Sequence, residues 1–494
     1  MRVTQSNDPV QLKRVLGLFS AVNFIISVTI GSGIFISPTS VLKYSKSVGM
    51  CVLVWSLSGV ISLLGALTYA ELSTLVPRSG SDYVYFMSTF NKYHRFWAKL
   101  PSFLYSMVMI MVIRPASIAV VLLTFSHYIS DPILDAYCIT DLDVIEKVKI
   151  TLAISGLGLL TYINTASVKL YVLIQNIFGC FKVIACLIVV GGGIYEIAMG
   201  NAENLQKGFE GTTSSPKDVA LAFYSGLWAF EGWSMVTSIT EEIKNPEVNI
   251  LRSILIAVPL VTILYVFMNI SYMTVLTIEE LINSSAVAVA FGQSVLGKFA
   301  VVIPLSVAFS TFSCSLSLQF GITRLCYVSG QDGLMLKSLS YVHYKKMTPG
   351  PAVVLQGIIT FLFILTKDVT ELIQFVGFMK MIFYSLSMVS LLILKKRMKD
   401  APRLYKVPFL LPIFMLFIFM FLFFTPIVID PTAKHLIALG IVGFGIIFYY
   451  VFIYKDLQPD LFLSGLNSYI QILFEAIPSR SIQEVGDEEV VNRP

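Results

Sequence analysis

Long apolar runs recur along this chain from about residue 15 to about residue 454, and most are as long as a membrane span. A helix needs roughly 20 apolar residues to cross the hydrocarbon core of a bilayer. Only 13% of the 494 residues are charged, whereas soluble domains use about a quarter. The runs are apolar on every side and do not alternate with polar residues, which excludes a β-barrel. The chain is therefore predicted to be an all-α polytopic membrane protein.

About twelve spans are predicted, and the basic residues of the short loops set their orientation. The spans lie near residues 15–43, 49–75, 97–129, 149–164, 170–198, 218–240, 251–276, 298–327, 349–366, 370–396, 405–428 and 434–454. Arg78, Arg95 and Lys395 fall on one side, and the acidic segment 131–146 falls on the other. By the positive-inside rule both termini are cytoplasmic. The net charge of +5 follows from this topology, so no nucleic-acid partner is expected.

The first span contains two glycines and a serine, in VTIGSGIF, at a depth where broken helices are costly. A helix interrupted in the bilayer is tolerated only where its backbone lines a cavity or is buried in protein. Amides at Gly31, Ser32 and Gly33 would suit a carboxylate, and the carbonyls of Thr29 and Ile30 would suit an ammonium group. The alternative is close helix packing through small residues.

The sixth span carries a second interruption, in SGLWAFEGW, which places Glu231 and Gly232 at mid-span. Matching interruptions in two halves of a chain are typical of inverted-repeat transporters, whose site lies between them. An ionisable residue at this depth marks a functional site by default. The flanking Trp228 and Phe230 would close over a ligand or merely pack.

Three further cations are predicted to lie within spans: Arg114, Lys182 and Lys380. Pro115 follows Arg114 and predicts a kink or a local break. Lys182 lies well inside the fifth apolar run, although a lysine there can also snorkel to the interface. Lys380, with Arg114, would read the negative charge of an acidic amino acid or anionic cystine, while Glu231 pairs with Lys380. In the competing interpretation Glu231 dominates and selects a dibasic or neutral substrate.

Four motifs in order resemble the light chains of heteromeric amino-acid transporters, of the L-type branch of the amino acid–polyamine–organocation superfamily. They are GSGIFISP, YAELSTLVPRSGSDYVYF, AFEGW followed by TEEIKNP, and STFSCSLSLQFGITRL. The resemblance covers residues 12 to 455 and is strongest to the renal aspartate/glutamate and cystine transporters. It implies a LeuT-like fold: a first inverted repeat at 15–198, a second at 218–396 and two further helices at 405–454. Cytoplasmic tails would occupy 1–14 and 455–494.

The resemblance also implies roles for individual residues in sodium-independent exchange by alternating access, without a cofactor. The backbone of the first interruption would bind the substrate's carboxylate and amino group, Trp228 would be the gate, and Lys182 would take the place of sodium. The implied substrate contacts are Thr29, Ile30, Gly31, Ser32, Gly33, Trp228, Ala229, Phe230 and Glu231. Lys380 occupies the position of an arginine that faces the anionic side chain in the cystine/glutamate exchanger. Glu231 departs from the family, since many relatives have a small residue there.

Cys138 lies in the acidic loop DPILDAYCITDLD, which is predicted to be extracellular. A solitary cysteine in an oxidising compartment indicates an intermolecular bond or a free thiol. The resemblance implies a disulfide to a single-span heavy-chain glycoprotein, of the rBAT type, in the plasma membrane. For the renal branch it implies the apical membrane of kidney epithelium, although the sequence leaves the basolateral membrane open.

Two other classes of protein remain as alternatives, a pore and a nutrient-sensing receptor. No stretch resembles the filter of a channel. The sequence contains no phosphate loop, no metal-ligand spacing and no nucleophile triad, so no enzyme is expected.

Overall fold

The computed structural model describes residues 14, 16–284, 286–366, 369–429, 431–457 and 460–478. The predicted cytoplasmic N-terminus before residue 14 and the tail from residue 479 lie outside the described residues.

The described chain is built almost entirely of helices. The first five predicted spans and their connections contain α1 (Leu18–Thr29), α2 (Gly33–Ser45), α3 (Val48–Leu75), α4 (Asp82–Phe90), α5 (Arg95–Val108), α6 (Arg114–Ala136), α7 (Leu142–Ala166) and α8 (Val168–Ala198). The next five contain α9 (Glu203–Gln206), α10 (Pro216–Ala229), α11 (Pro246–Val275), α12 (Ile278–Asn283), α13 (Val287–Leu296), α14 (Val302–Gln331), α15 (Gly350–Ile364) and α16 (Val369–Arg397). The last helices are α17 (Leu410–Ile429), α18 (Ala433–Phe448) and α19 (Asp460–Phe474).

Short irregular elements connect or extend these helices. The strands β1 (Val342–His343) and β2 (Ala476–Ile477) pair in an antiparallel ladder. A π-helical segment, Met109–Ile113, joins α5 to α6, and a 3₁₀ segment, Met235–Glu242, follows α10.

The helices confirm the prediction of an all-α polytopic membrane protein. Within the described residues, eight helical segments are long and apolar enough to cross a membrane, and the bent pair α1–α2 makes a ninth. The other three predicted spans, 149–164, 218–240 and 349–366, fall on α7, α10 and α15, none of which meets that criterion alone. The two-repeat organisation stays a prediction.

The first span breaks where the glycines predict it, and α1 meets α2 at an angle of 46°. Gly31 is required by close approach, because a Cβ there would lie 2.6 Å from Sγ of Cys314. The break is thus enclosed by protein, as a membrane-embedded break must be.

The sixth span breaks just after α10. Ser215 caps this helix by accepting a hydrogen bond from the amide of Asp218, and Pro216 occupies its first turn. Gly232 has φ of +124°, a conformation that side chains rarely adopt. The helix therefore ends before Gly232 and continues only as the 3₁₀ segment.

The two breaks lie against each other. Helix α2 packs on α10, and α1 packs on α8, α11 and α14. A Cβ on Gly33 would come within 2.4 Å of Cα of Ala229, and one on Gly232 within 2.7 Å of Val28. The fold thus brings together two irregular segments that are about 200 residues apart in sequence.

Candidate functional site

The end of α1 presents a row of carbonyl groups that buried side chains already contact. The donor–acceptor pairs are Lys182 Nζ to Ser27 at 2.5 Å, Cys314 Sγ to Val28 at 3.2 Å, Tyr265 OH to Thr29 at 2.7 Å and Ser310 Oγ to Ile30 at 3.0 Å. A carbonyl oxygen has two lone pairs, so that of Ile30 keeps one for a further donor. The carbonyl of Thr29 also accepts from the amide of Gly31 at 2.9 Å, so neither this carbonyl nor that amide is free for a substrate as the sequence predicts. The break is therefore held open by side chains from three other helices.

Lys182 is buried at the predicted position and does not snorkel to an interface. Its ammonium contacts the carboxyl end of α1, where the helix dipole favours positive charge. The structure therefore agrees with a fixed cation beside the break, and the replacement of sodium by this lysine stays a prediction.

The beginning of α2 supplies unpaired donors to the same place. The first amides of a helix have no intrahelical acceptor. Among the described residues, the amides of Ser32, Gly33 and Ile34 make no backbone hydrogen bond outside the helix, whereas Phe35 donates to Ser32. The hydroxyl of Thr29 is buried and has no hydrogen-bond partner in the part of the chain that the structure describes. The break thus combines free amides, one carbonyl lone pair at Ile30 and the hydroxyl of Thr29, which complement both charges of an amino acid.

A cluster of charges surrounds Glu231 on the other side of the second break. Nζ of Lys380 lies 2.9 Å from Oε1 of Glu231, and Nη1 of Arg114 lies 3.8 Å from the same oxygen. The hydroxyl of Tyr384 donates to both carboxylate oxygens, at 3.3 and 3.2 Å. Lys380 also lies 5.2 Å from the ring centroid of Trp228. The predicted pairing of Glu231 with Lys380 is therefore present.

Arg114 is the cation with donors to spare. Its side chain is buried, and Nη2 contacts Sδ of Met235 at 2.8 Å, a weak acceptor. Nη1 makes no hydrogen bond within the described residues. A guanidinium has five donors and matches a carboxylate by two parallel bonds, so Arg114 has unused capacity for such a group.

Two small cavities meet at this cluster. Arg114, Glu231, Lys380 and Asp82 line one of them, and Trp228 lines the other together with Glu231 and Lys380. Each has a free volume of about 30 Å³, which is room for only one or two water molecules. Neither cavity is large enough for an amino acid in this conformation.

The predicted site residues therefore form two neighbouring groups. The residues of the first break do not line either cavity. Phe230 lies on the side of the first break. The centroid of its ring is 5.0 Å from that of Tyr265 and 6.1 Å from that of Trp55. Ala229 is buried against Gly33. Glu231 and Trp228 belong to the charge cluster, so the second break separates the two groups.

Sequence reasoning missed several contributors. Tyr384 follows Lys380 by four residues, a spacing that places both on one helical face, so the pattern could have indicated it. Tyr265 and Ser310 carry no comparable signal in the sequence. Asp82, which accepts a hydrogen bond from Ser387, lies in a recognised motif but was not assigned to the site.

Ion pairs lie below the charge cluster, toward the end predicted to be cytoplasmic. Nε of Arg324 donates to Oε1 of Glu242 at 3.0 Å, and both side chains are buried. Arg78 reaches Asp332 at 4.0 Å. Arg324 therefore faces the segment 240–242, whereas Arg78 faces Asp332.

Cys138 lies apart from these groups, between α6 and α7. It is exposed and forms no disulfide in this chain. Its exposure is compatible with the predicted bond to a heavy chain, and the bond itself stays a prediction.

A polytopic helical membrane protein whose first and sixth segments break against each other, beside buried charges, belongs to the class of solute transporters. The chain is a member of the amino acid permease family, whose model matches residues 16–454. Over 468 residues it is 38% identical to the b(0,+)-type amino acid transporter 1 of Mus musculus, with 94% of each chain covered.

Two further relatives place the chain among the L-type light chains. It is 37% identical over 405 residues to the cystine/glutamate transporter of Homo sapiens, covering 82% of this chain and 78% of that one. It is 38% identical over 413 residues to the large neutral amino acids transporter small subunit 2 of Mus musculus, covering 82% and 74%. These relatives support the light-chain branch, but not the particular likeness to the renal aspartate/glutamate transporter.

Proposed function

We propose that this chain is the light subunit of a sodium-independent exchanger of acidic amino acids and cystine. The observation that carries the proposal is the unused capacity of Arg114, a buried guanidinium beside an ion pair that is already made. A buried cation is costly unless an anion compensates it, and a substrate carboxylate would supply that anion.

The four charged side chains on the cavity wall balance when Asp82 is ionised, so the proposal depends on the free donors of Arg114 and not on net charge. Glu231 is matched by Lys380 at 2.9 Å, which leaves Arg114 and Asp82 as the remaining opposite charges on the cavity wall. Asp82 is engaged by Ser387. An aspartate or glutamate side chain would bind Arg114, and the second head group of cystine would offer its carboxylate to Arg114 and its ammonium to Glu231.

Alternating access would require the cavity to enlarge and open on each side in turn. The cytoplasmic barrier in this conformation would be the Arg324–Glu242 pair, which is buried on both sides. The substrate's α-amino and α-carboxyl groups would bind at the first break, with Lys182 as the fixed cation that removes the need for sodium. This arrangement supports exchange without an ion gradient.

The second candidate is exchange of dibasic or neutral amino acids. It is favoured by Glu231, a partly buried carboxylate that shares its cavity with Trp228. If Lys380 moves away on substrate binding, Glu231 would accept a cationic side chain instead. The two candidates predict opposite competition by aspartate and lysine.

Counter-flow in proteoliposomes tests both candidates, using labelled aspartate, glutamate, cystine, leucine and arginine. Lys380→Met and Arg114→Met are expected to reduce aspartate and cystine exchange at least tenfold, because hydrogen bonds to charged groups contribute about 1.5–3 kcal/mol. Lys395→Met is the matched control, because this lysine is on the same helix and pairs with buried Glu71 away from the site. Glu71 still has Arg403 as an ion-pair partner in this variant, so exchange is expected to stay unchanged.

Unchanged aspartate and cystine exchange in both site variants would refute the acidic assignment. If the wild type exchanges arginine and Glu231→Gln does not, the second candidate function would be established. A pore or a receptor would show no trans-stimulation in any variant.

For assembly, we propose a disulfide from Cys138 to a single-span heavy chain of the rBAT type. The complex would lie in the plasma membrane with both termini of this chain cytoplasmic, in the apical membrane of kidney epithelium.

A further inference from the structure

The helix that carries Arg114 contains a turn of π-helix immediately before it. In the segment Met109–Ile113 the amide of Arg114 donates five residues back, to the carbonyl of Met109. A π turn inserts one extra residue and is frequent at functional sites. Relative to a continuous α-helix it rotates the following side chains by about 100°, and in this chain the first of them is Arg114.

This turn leaves one carbonyl without any backbone donor. The carbonyl of Ile110 would receive the amide of residue 114 in an α-helix, or that of residue 115 in a π-helix. The first amide is committed to Met109, and residue 115 is proline, which has no N–H. Ile110 is fully buried, where an unpaired carbonyl is costly.

Gln356 from α15 fills the gap. Its Nε2 donates to the carbonyl of Ile110 at 2.9 Å, and the side chain is fully buried. Its Oε1 has no hydrogen-bond partner among the described residues. Burying one amide oxygen unpaired is unfavourable, so the donor end of Gln356 must offset that cost through the contact with Ile110.

We infer that Gln356 is a positioning residue for Arg114: it holds the π turn that aims the guanidinium at Glu231. Pro115 creates the orphan carbonyl and Gln356 satisfies it, so the two residues act as a pair. The role in transport rests on the proposed function, because it assumes that Arg114 binds the substrate's anionic group.

Gln356→Leu keeps the approximate size of the side chain and removes the donor. It is expected to raise the KM for aspartate about five- to tenfold, as for loss of one hydrogen bond, with a smaller change in maximal rate. The matched control is Thr360→Val, one turn further along α15, since the buried hydroxyl of Thr360 has no partner among the described residues. This control is expected to leave both constants unchanged.

Pro115→Ala in the Gln356→Leu background provides the rescue. Alanine restores an N–H that can donate five residues back to Ile110, so the KM is expected to return toward the wild-type value. If Gln356→Leu does not fold, the double variant must recover the folded protein. Failure of the double variant to recover either folding or KM overturns the pairing.

A double-mutant cycle with Arg114→Met separates this inference from the proposed function. If Gln356 acts through Arg114, Gln356→Leu causes no further rise in KM in the Arg114→Met background. A KM in the double variant equal to the product of the two single-variant effects would overturn the inference. If Arg114→Met alone leaves aspartate exchange unchanged, the substrate assignment fails. In that case the recovery of thermal stability by Pro115→Ala still tests the contact between Gln356 and Ile110.

Discussion

The contact between the two breaks makes Gly33→Ala the sharpest test of the structure. A Cβ at this position would lie 2.4 Å from Cα, 2.9 Å from Cβ and 3.2 Å from N of Ala229. Carbon atoms in contact are normally about 3.5–4.0 Å apart, so α2 and α10 would have to separate by roughly 1 Å. The obstacle is backbone, which cannot turn aside as a flexible side chain can.

The expected cost follows from this overlap. Overpacking a close contact typically destabilises a protein by about 1–3 kcal/mol, so a lower melting temperature is expected. Exchange is expected to fall more than tenfold, because a misplacement of about 1 Å at a binding site has consequences of that order. Counter-flow of labelled substrate and a thermal melt of the purified protein measure the two effects separately.

Two glycines of the same chain serve as controls. Gly158 lies in α7, and no described atom lies within 4 Å of the Cβ position there, so Gly158→Ala is expected to be neutral or stabilising through helix propensity. Gly226 lies in α10, and a Cβ there would lie 2.6 Å from Oγ of Ser58 and 3.4 Å from both Cβ of Ser58 and Cγ1 of Val54, all of them side-chain atoms. Gly226→Ala should therefore cost stability and spare exchange. Wild-type exchange and stability in Gly33→Ala would refute the close contact between the breaks.

Three further predictions address the charges and the loop. Lys182→Met removes the donor to Ser27 and is expected to lower exchange at least tenfold; equal uptake by variant and wild type in sodium-free medium would contradict its role. Burial raises the pKa of Asp82, at the start of α4 between two spans, to about 6, so its protonation between pH 7.5 and 5.5 makes the cluster more positive. Aspartate stays anionic in this range, so its KM is expected to decrease as the pH is lowered in the wild type and to stay constant in Asp82→Asn. Cys138→Ser is expected to abolish the covalent heavy-chain complex on a non-reducing gel, and persistence of that complex would exclude the exposed Cys138 as the linkage.

Local sequence was sufficient to find the breaks and the buried charges. Gly31, Gly33 and Gly232 disfavour helix wherever they occur, and Arg114, Lys182, Glu231 and Lys380 stand out because charge is rare in apolar runs. These signals mark candidate positions by residue type, although glycine alone does not decide, since Gly158 stays helical within α7. Lys182 was also correctly distinguished from an interfacial lysine by its distance from the ends of its span.

The division of the site into two groups could not be predicted. Phe230 and Glu231 are adjacent in sequence, yet one packs on Tyr265 and the other pairs with Lys380. Which way each side chain turns depends on the φ of +124° at Gly232 and on the neighbouring helices. The sequence also places no limit on cavity size, which depends on how closely α3, α10 and α16 pack.

The amino-acid sequence by itself determined that this chain spans a membrane many times, where two of its spans break and which charges lie within them. These properties follow from hydropathy, from the backbone freedom of glycine and from the cost of burying charge, all of which are local. Only the tertiary structure decided that Arg114 keeps unpaired donors and that Gln356 reaches the carbonyl of Ile110. Hydrogen-bond satisfaction is a relation between atoms on different helices, and it exists only when those helices are packed together.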